Sequence, residues 1–87
     1  AVLKKHKKID DAVVVGLPDK EWGHRIHAFV ESNEPVSDKS LIKFALNYLP
    51  PYKIPKSFEH IDHIPRNESG KVVRSKMVEQ YLQKTSE

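Results

Sequence analysis

Apolar residues along this 87-residue chain gather into runs whose period changes from one run to the next. Ala12 to Val15 form a short β-branched run that predicts a strand, with Gly16 and the pair Pro18-Asp19 reading as its stop. After the connection Lys20 to His24, residues Arg25 to Glu31 alternate, placing Ile26, Ala28 and Val30 on one face and His27 and Phe29 on the other. That two-residue period predicts a second strand. The two strands are expected to pair antiparallel, across a connection too long for a tight hairpin.

The period then lengthens. Leu41, Ile42, Ala45, Leu46 and Leu49 recur at helical spacing, Ser37 before Asp38 offers an amino-terminal cap, and Pro50-Pro51 halts the helix. Phe44 and Tyr48, four apart, are expected to widen its buried face. From Lys56 to Ile64 a strand is expected from the β-formers and flanking prolines, although Phe58, Ile61 and Ile64 are spaced three apart and break alternation. Met77, Val78, Tyr81 and Leu82 predict a final helix over Ser75 to Lys84, and Val2 to Lys8 reads as the end of a helix whose lysines suit the carbonyl-rich terminus. The order α-β-β-α-β-α implies an α+β fold, a small mixed β-sheet with helices packed on it, as a single domain over residues 1–87.

Composition narrows the class without naming it. Hydrophobic residues make up 38% and charged residues 31%, the balance of a folded, soluble domain with a thin core. The absence of cysteine excludes disulfide frameworks, thiolate metal sites and cysteine nucleophiles. No apolar run reaches the ~20 residues of a membrane span and the amino end lacks a signal-peptide core, so the expected location is cytoplasmic. A net charge of +3 favours anionic partners only mildly. The chain opens on Ala1 inside what reads as a helix end, which predicts that it is a piece of a larger protein.

Candidate chemistry centres on Ile64 to Arg74, "IPRNESGKVVR". A phosphate-cradling P-loop is excluded, because Pro65 stands where its first glycine belongs and Val72 replaces the magnesium-binding hydroxyl. The pairs His24/His27 and His60/His63 are three apart, which on strands sends each pair to opposite faces, so no metal site is expected. Spacing suggests no base beside any serine, and hence no catalytic triad. That leaves Lys71, lifted by a Ser69-Gly70 turn. On its own such a lysine is as compatible with a solvated surface turn as with a site.

Three segments read together resolve this. "VVVGLPDKEWGHRIHAFV", "LPPYKIPKSFEHIDHIP" and "RNESGKVVRSKM", in this order and spacing, resemble the carboxy-terminal domain of the adenylate-forming enzymes: acyl-CoA synthetases, amino-acid adenylation domains and luciferases. The resemblance covers nearly the whole chain. The family signature Pro-Lys-Thr-x-Ser/Thr-Gly-Lys is matched by Pro65 to Lys71, with Arg66 for lysine and Asn67 for threonine, and His24 stands where a glutamate often follows the Trp-Gly pair.

The resemblance implies a catalytic, ATP-contacting role for Lys71 in a two-step ligase reaction. In that reaction an acid attacks the α-phosphate of Mg-ATP, and a thiol, usually coenzyme A, then displaces AMP. It also implies contacts of Trp22, Tyr52 and Lys56, with Lys53 as a further candidate, to the nucleotide end of coenzyme A. The partners it implies are a small carboxylic acid, ATP, coenzyme A and an N-terminal domain of the same protein that holds most of the ATP and Mg, about which this domain rotates. No nucleic acid is expected. Arg74 and Lys76 are expected to pair at the surface or between domains rather than to add to the field at Lys71. Ser69-Gly70-Lys71 and Tyr52-Lys53 look more like acyl-CoA synthetases than amino-acid adenylation domains. The latter, and a basic module that binds polyanions through "KKHKK", are the alternative readings.

Overall fold

The computed structural model describes residues 2–21 and 23–85. β1 (Ile9–Asp19) and β2 (Gly23–Ser32) pair antiparallel from Asp19 opposite Gly23 back to Ile9 opposite Ser32, with a bulge between Ile9 and Asp11. β3 (Ser57–His60) adds parallel to β2, giving a three-stranded mixed sheet in the order β1-β2-β3. α1 (Asp38–Ala45) and α2 (Arg74–Thr85) cover opposite faces of it. The expected α+β architecture is therefore borne out, with a 3-10 turn at Val2–Lys5 in place of an α-helix end.

Among the boundaries that differ from the sequence expectation, three have a clear physical reason. β1 continues through Gly16 and Pro18 to Asp19, so the hairpin connection is shorter than expected. As an edge strand it has one free side, where a proline removes no ladder hydrogen bond. β3 stops at His60 instead of running to Ile64, because Phe58 packs on the α1 face whereas Ile61 and Ile64 pack on the α2 face. The three-residue spacing marked the place where the chain leaves the sheet. α1 ends at Ala45, and the Tyr48 and Leu49 N–H groups both close back on the Ala45 carbonyl in a final turn before the prolines.

The alternation of β1 and β2 sorts the core into two layers. Leu3, Ile9, Ala12, Ala28, Val30, Leu41, Ala45 and Ile54 are buried on the α1 side; Val13, Val15, Leu17, Phe29, Ile64 and Met77 are buried on the α2 side. Each fully buried Val, Leu or Ile contributes about 1.5–3 kcal/mol. The Ser37 side chain caps α1 by accepting from the Ser40 N–H at 3.1 Å, as its position before Asp38 predicted. Phe44 and Tyr48 widen the apolar face only in part. Phe44 is half-buried against the His6 ring, and Tyr48 is exposed, with Lys5 Nζ 4.7 Å above its ring.

Candidate active site

Ile64 is the last anchored residue before the loop of interest: its side chain is fully buried and its N–H donates to Glu31 Oε2 at 3.1 Å. From there the chain crosses to the β1 edge and folds a closed turn. The Asn67 N–H donates to the Lys71 carbonyl (2.8 Å) and the Gly70 N–H to the Asn67 carbonyl (2.9 Å). Asn67 Oδ1 accepts from the N–H groups of Ser69 (2.9 Å) and Lys71 (3.0 Å). An asparagine opening a turn that closes on glycine is favoured because its amide oxygen satisfies nearby N–H groups locally. Gly70 adopts φ +79°, the left-handed conformation that only glycine enters freely.

Lys71 stands exposed beside this turn, and its ammonium has no ion-pair partner among the described residues. It lines an open cleft of about 490 Å³ together with Lys4, Asp11, Arg66 and Arg74, floored by the β1 residues Ala12 to Val14. Asp11, only 8% exposed, carries the one negative charge that the described residues bring to the cleft. Its Oδ1 accepts from the Ala12 N–H at 2.9 Å and lies 3.6 Å from Lys4 Nζ. Its Oδ2 takes both Nε (3.1 Å) and Nη2 of Arg66. Burial by itself pushes this carboxyl up, but the Arg66 hydrogen bonds, the Ala12 N–H and the charges of Arg66 and Lys4 outweigh it. The pKa falls below the ordinary 3.8 and Asp11 is ionised. With Arg66 matched to Asp11, the cleft keeps a positive excess at Lys71 and Arg74, which suits it to a group that gains negative charge as it reacts.

The other expected site residues lie elsewhere. Tyr52, 76% exposed, sits on a 3-10 turn at Pro51–Lys53 with Lys53 Nζ 5.8 Å from its ring centroid. Lys56 is exposed at the entry to β3, where its N–H donates to the Ile26 carbonyl at 2.9 Å. Trp22 lies outside the described residues. The Tyr52 segment packs through Ile54 on the α1 side, whereas the Lys71 segment packs through Ile64 and Val72 on the α2 side, so the two groups do not meet. Arg74, expected to pair at the surface or between domains, makes no ion pair among the described residues and shares the Lys71 cleft. Lys76 lines a separate hollow beside Pro65 and Asn67. Two lysines of "KKHKK" already have partners, Lys4 at Asp11 and Lys5 over Tyr48. Among the described residues no group of three or more His, Cys, Asp or Glu is placed to hold a metal ion.

Sequence reasoning singled out Lys71 but not Asp11, the carboxylate that lines the same cleft. No local pattern marks a carboxylate whose partner is 55 residues away.

Comparison with known proteins shows the family of the chain. The family model for the AMP-binding enzyme C-terminal domain matches residues 1–71, ending on Lys71. The chain is 40% identical over 77 residues to 2-succinylbenzoate–CoA ligase of Bacillus licheniformis, covering 88% of this chain and 16% of that protein. It is 39% identical over 82 residues to a fatty acid–[acyl-carrier-protein] ligase, ScoC, of Streptomyces coeruleorubidus, covering 92% and 16%. Among solved structures, o-succinylbenzoate CoA synthetase from Bacillus subtilis in complex with the acyl-adenylate intermediate OSB-AMP superposes with a TM-score of 0.82 at 38% identity, over 87% of this chain and 16% of that one. The chain thus spans about one sixth of the length of the curated relatives it matches. Its fold, its turn and these likenesses together make the chain a member of the AMP-binding enzyme C-terminal domain family.

Proposed function

We propose that the chain is the mobile C-terminal domain of an acid–thiol ligase of the acyl-CoA synthetase type, and that Lys71 assists its adenylation step. The reading is carried by one observation: an ammonium with no ion-pair partner among the described residues, at a closed turn, in a cleft of positive excess, in a chain of this family. In the first half-reaction a carboxylate oxygen bonds to the α-phosphorus of ATP, the bond from that phosphorus to the bridging oxygen breaks, and pyrophosphate leaves. A carboxylate and a polyphosphate repel each other, and negative charge grows on the transferring phosphoryl oxygens. A long-stemmed point cation that reaches both lowers this barrier.

In the second half-reaction the thiol of coenzyme A attacks the acyl carbon and AMP departs. Tyr52, Lys56 and Trp22 have the chemistry to receive the nucleotide end of coenzyme A, an aromatic face for adenine and cations for phosphate. The packing of the Tyr52 segment on the α1 side and of the Lys71 segment on the α2 side supports a domain that turns a different face to the reaction at each step. An N-terminal domain of the same protein supplies the acid pocket and most of the ATP site. Magnesium that accompanies ATP finds no ligand set among the described residues, and no step here depends on one. The similarity to ScoC favours, as a second reading of the acceptor, the thiol of a carrier protein. Assay of the two half-reactions separately in a Lys71→Ala variant of the full-length protein tests the assignment.

A further inference from the structure

We infer that Asp11 and Arg66 together anchor the Lys71 turn to β1, with Arg66 acting as a positioning residue for Lys71. Its catalytic consequence rests on the adenylation role proposed above; the anchor itself does not.

The turn is closed internally by four hydrogen bonds through Asn67, Gly70 and Lys71, so it behaves as one small unit. What fixes that unit to the sheet is a separate question. Ile64 on one side and Val72 on the other pack into the α2-side core. Between them, over residues 65–71, the hydrogen bonds that leave the segment among the described residues all come from the Arg66 guanidinium. Two of its nitrogens, Nε and Nη2, grip Asp11 Oδ2 on β1. The third, Nη1, donates at 2.9 Å to the carbonyl of Gly70, the residue that precedes Lys71.

A planar guanidinium suits this bridge, since its two ends are held at a fixed angle and one side grips a carboxylate while the other meets a carbonyl. Asp11 is in turn held rigidly, being buried on a paired strand and bonded to the Ala12 N–H. The path from sheet to Lys71 therefore runs Asp11, Arg66, Gly70. With all three of its nitrogens engaged, Arg66 is spent on structure and not left to bind phosphate itself.

The two roles predict opposite results. If Arg66 were a phosphate-binding cation, Asp11→Asn would loosen its grip and leave adenylation unchanged or faster. For an anchor, Asp11→Asn and Arg66→Gln each slow adenylation by about 10- to 100-fold, the scale of a misplaced reacting group. The Asp11→Asn/Arg66→Gln double variant is then no slower than the worse single one, and Arg66→Lys, which keeps the charge but not the fork, recovers part of the rate.

The experiment measures both half-reactions of these four variants in the full-length protein, with thermal melts alongside. In parallel it measures backbone amide order parameters at Gly70 and Lys71 in the 87-residue chain, wild type and Arg66→Gln. The anchor predicts a selective loss of adenylation, an unchanged second half-reaction, and lower order at both amides. Wild-type adenylation in Arg66→Gln, additive losses in the double variant, an equal fall of both half-reactions tracking the melts, or unchanged amide order would each overturn it. If Lys71→Ala adenylates normally, the proposed role of Lys71 fails, while the order parameters still decide the anchor.

Discussion

His27 Nδ1 lies 2.6 Å from Ser57 Oγ, joining the central strand to its parallel neighbour beneath α2. The His27 ring is 1% exposed, rests against Phe29 and Tyr81, and leaves Nε2 buried with no hydrogen-bond partner. Arg25, on the same strand, donates to Ser57 Oγ and to the Tyr81 hydroxyl, each at 3.4 Å, so a polar knot ties α2 to the sheet.

This burial makes stability depend on pH. Desolvation lowers the His27 pKa below 6.5; the nearby Glu59 charge opposes the shift and Arg25 reinforces it. As pH falls through 6.5 the unfolded chain takes up a proton that the folded chain still refuses, so stability declines from there down to the lowered folded value. Chemical denaturation at pH 7.5 and at pH 5 is expected to show the loss, and His27→Gln to flatten it. Equal pH dependence in the two proteins would dismiss His27 as the cause.

A pair of leucines on one helical stretch reports on the layering of the core. Leu41 is fully buried, whereas Leu46, which the sequence places on the same apolar face, is 48% exposed at the end of α1. Leu41→Ala is expected to cost about 2–5 kcal/mol, and Leu46→Ala to stay within about 0.5 kcal/mol. Urea midpoints that ranked the two the other way would reject this layering.

At the turn, a Cβ on Gly70 would meet nothing within 4 Å, so a substitution there acts through the backbone alone. Holding an alanine at φ +79° costs about 1–2 kcal/mol. Gly70→Ala is expected to slow adenylation by loosening the Lys71 turn, and Gly70→Asn, which tolerates the left-handed region better, to slow it less. The order of the two rates is the readout, and an alanine variant as fast as wild type would contradict the role of the turn.

Much of this was legible in the sequence. α1 announced itself through Ser37 and the spacing of Leu41 and Ala45, and β2 through an alternation that puts Ala28 and Val30 in one core layer and Phe29 in the other. The ends of β1 and β3 were not, because they depend on which strand lies at the sheet edge and which helix receives Ile61 and Ile64. The site divided in the same way. Lys71 stands out once three segments of the sequence are read together, while Asp11 is one carboxylate among 12 acidic residues facing 15 basic ones, and only the fold selects its partner.

If Tyr52 is a platform for the nucleotide of coenzyme A, removing its ring should weaken binding by about 1–3 kcal/mol, the usual worth of a base stacked on an aromatic side chain. Tyr52→Ala is then expected to raise the KM for coenzyme A in the second half-reaction. An unaltered KM would remove Tyr52 from the proposed contact set.

On the role proposed for it, the ammonium of Lys71 serves the approach of acid to triphosphate and not the later transfer to the thiol. Single-turnover assay of full-length Lys71→Ala, with ATP and acid in one experiment and preformed acyl-adenylate and thiol in the other, tests it most directly. The account predicts adenylate formation slower by about 100- to 1000-fold with thioester formation near the wild-type rate; full adenylation, or an equal loss in both experiments, would contradict it.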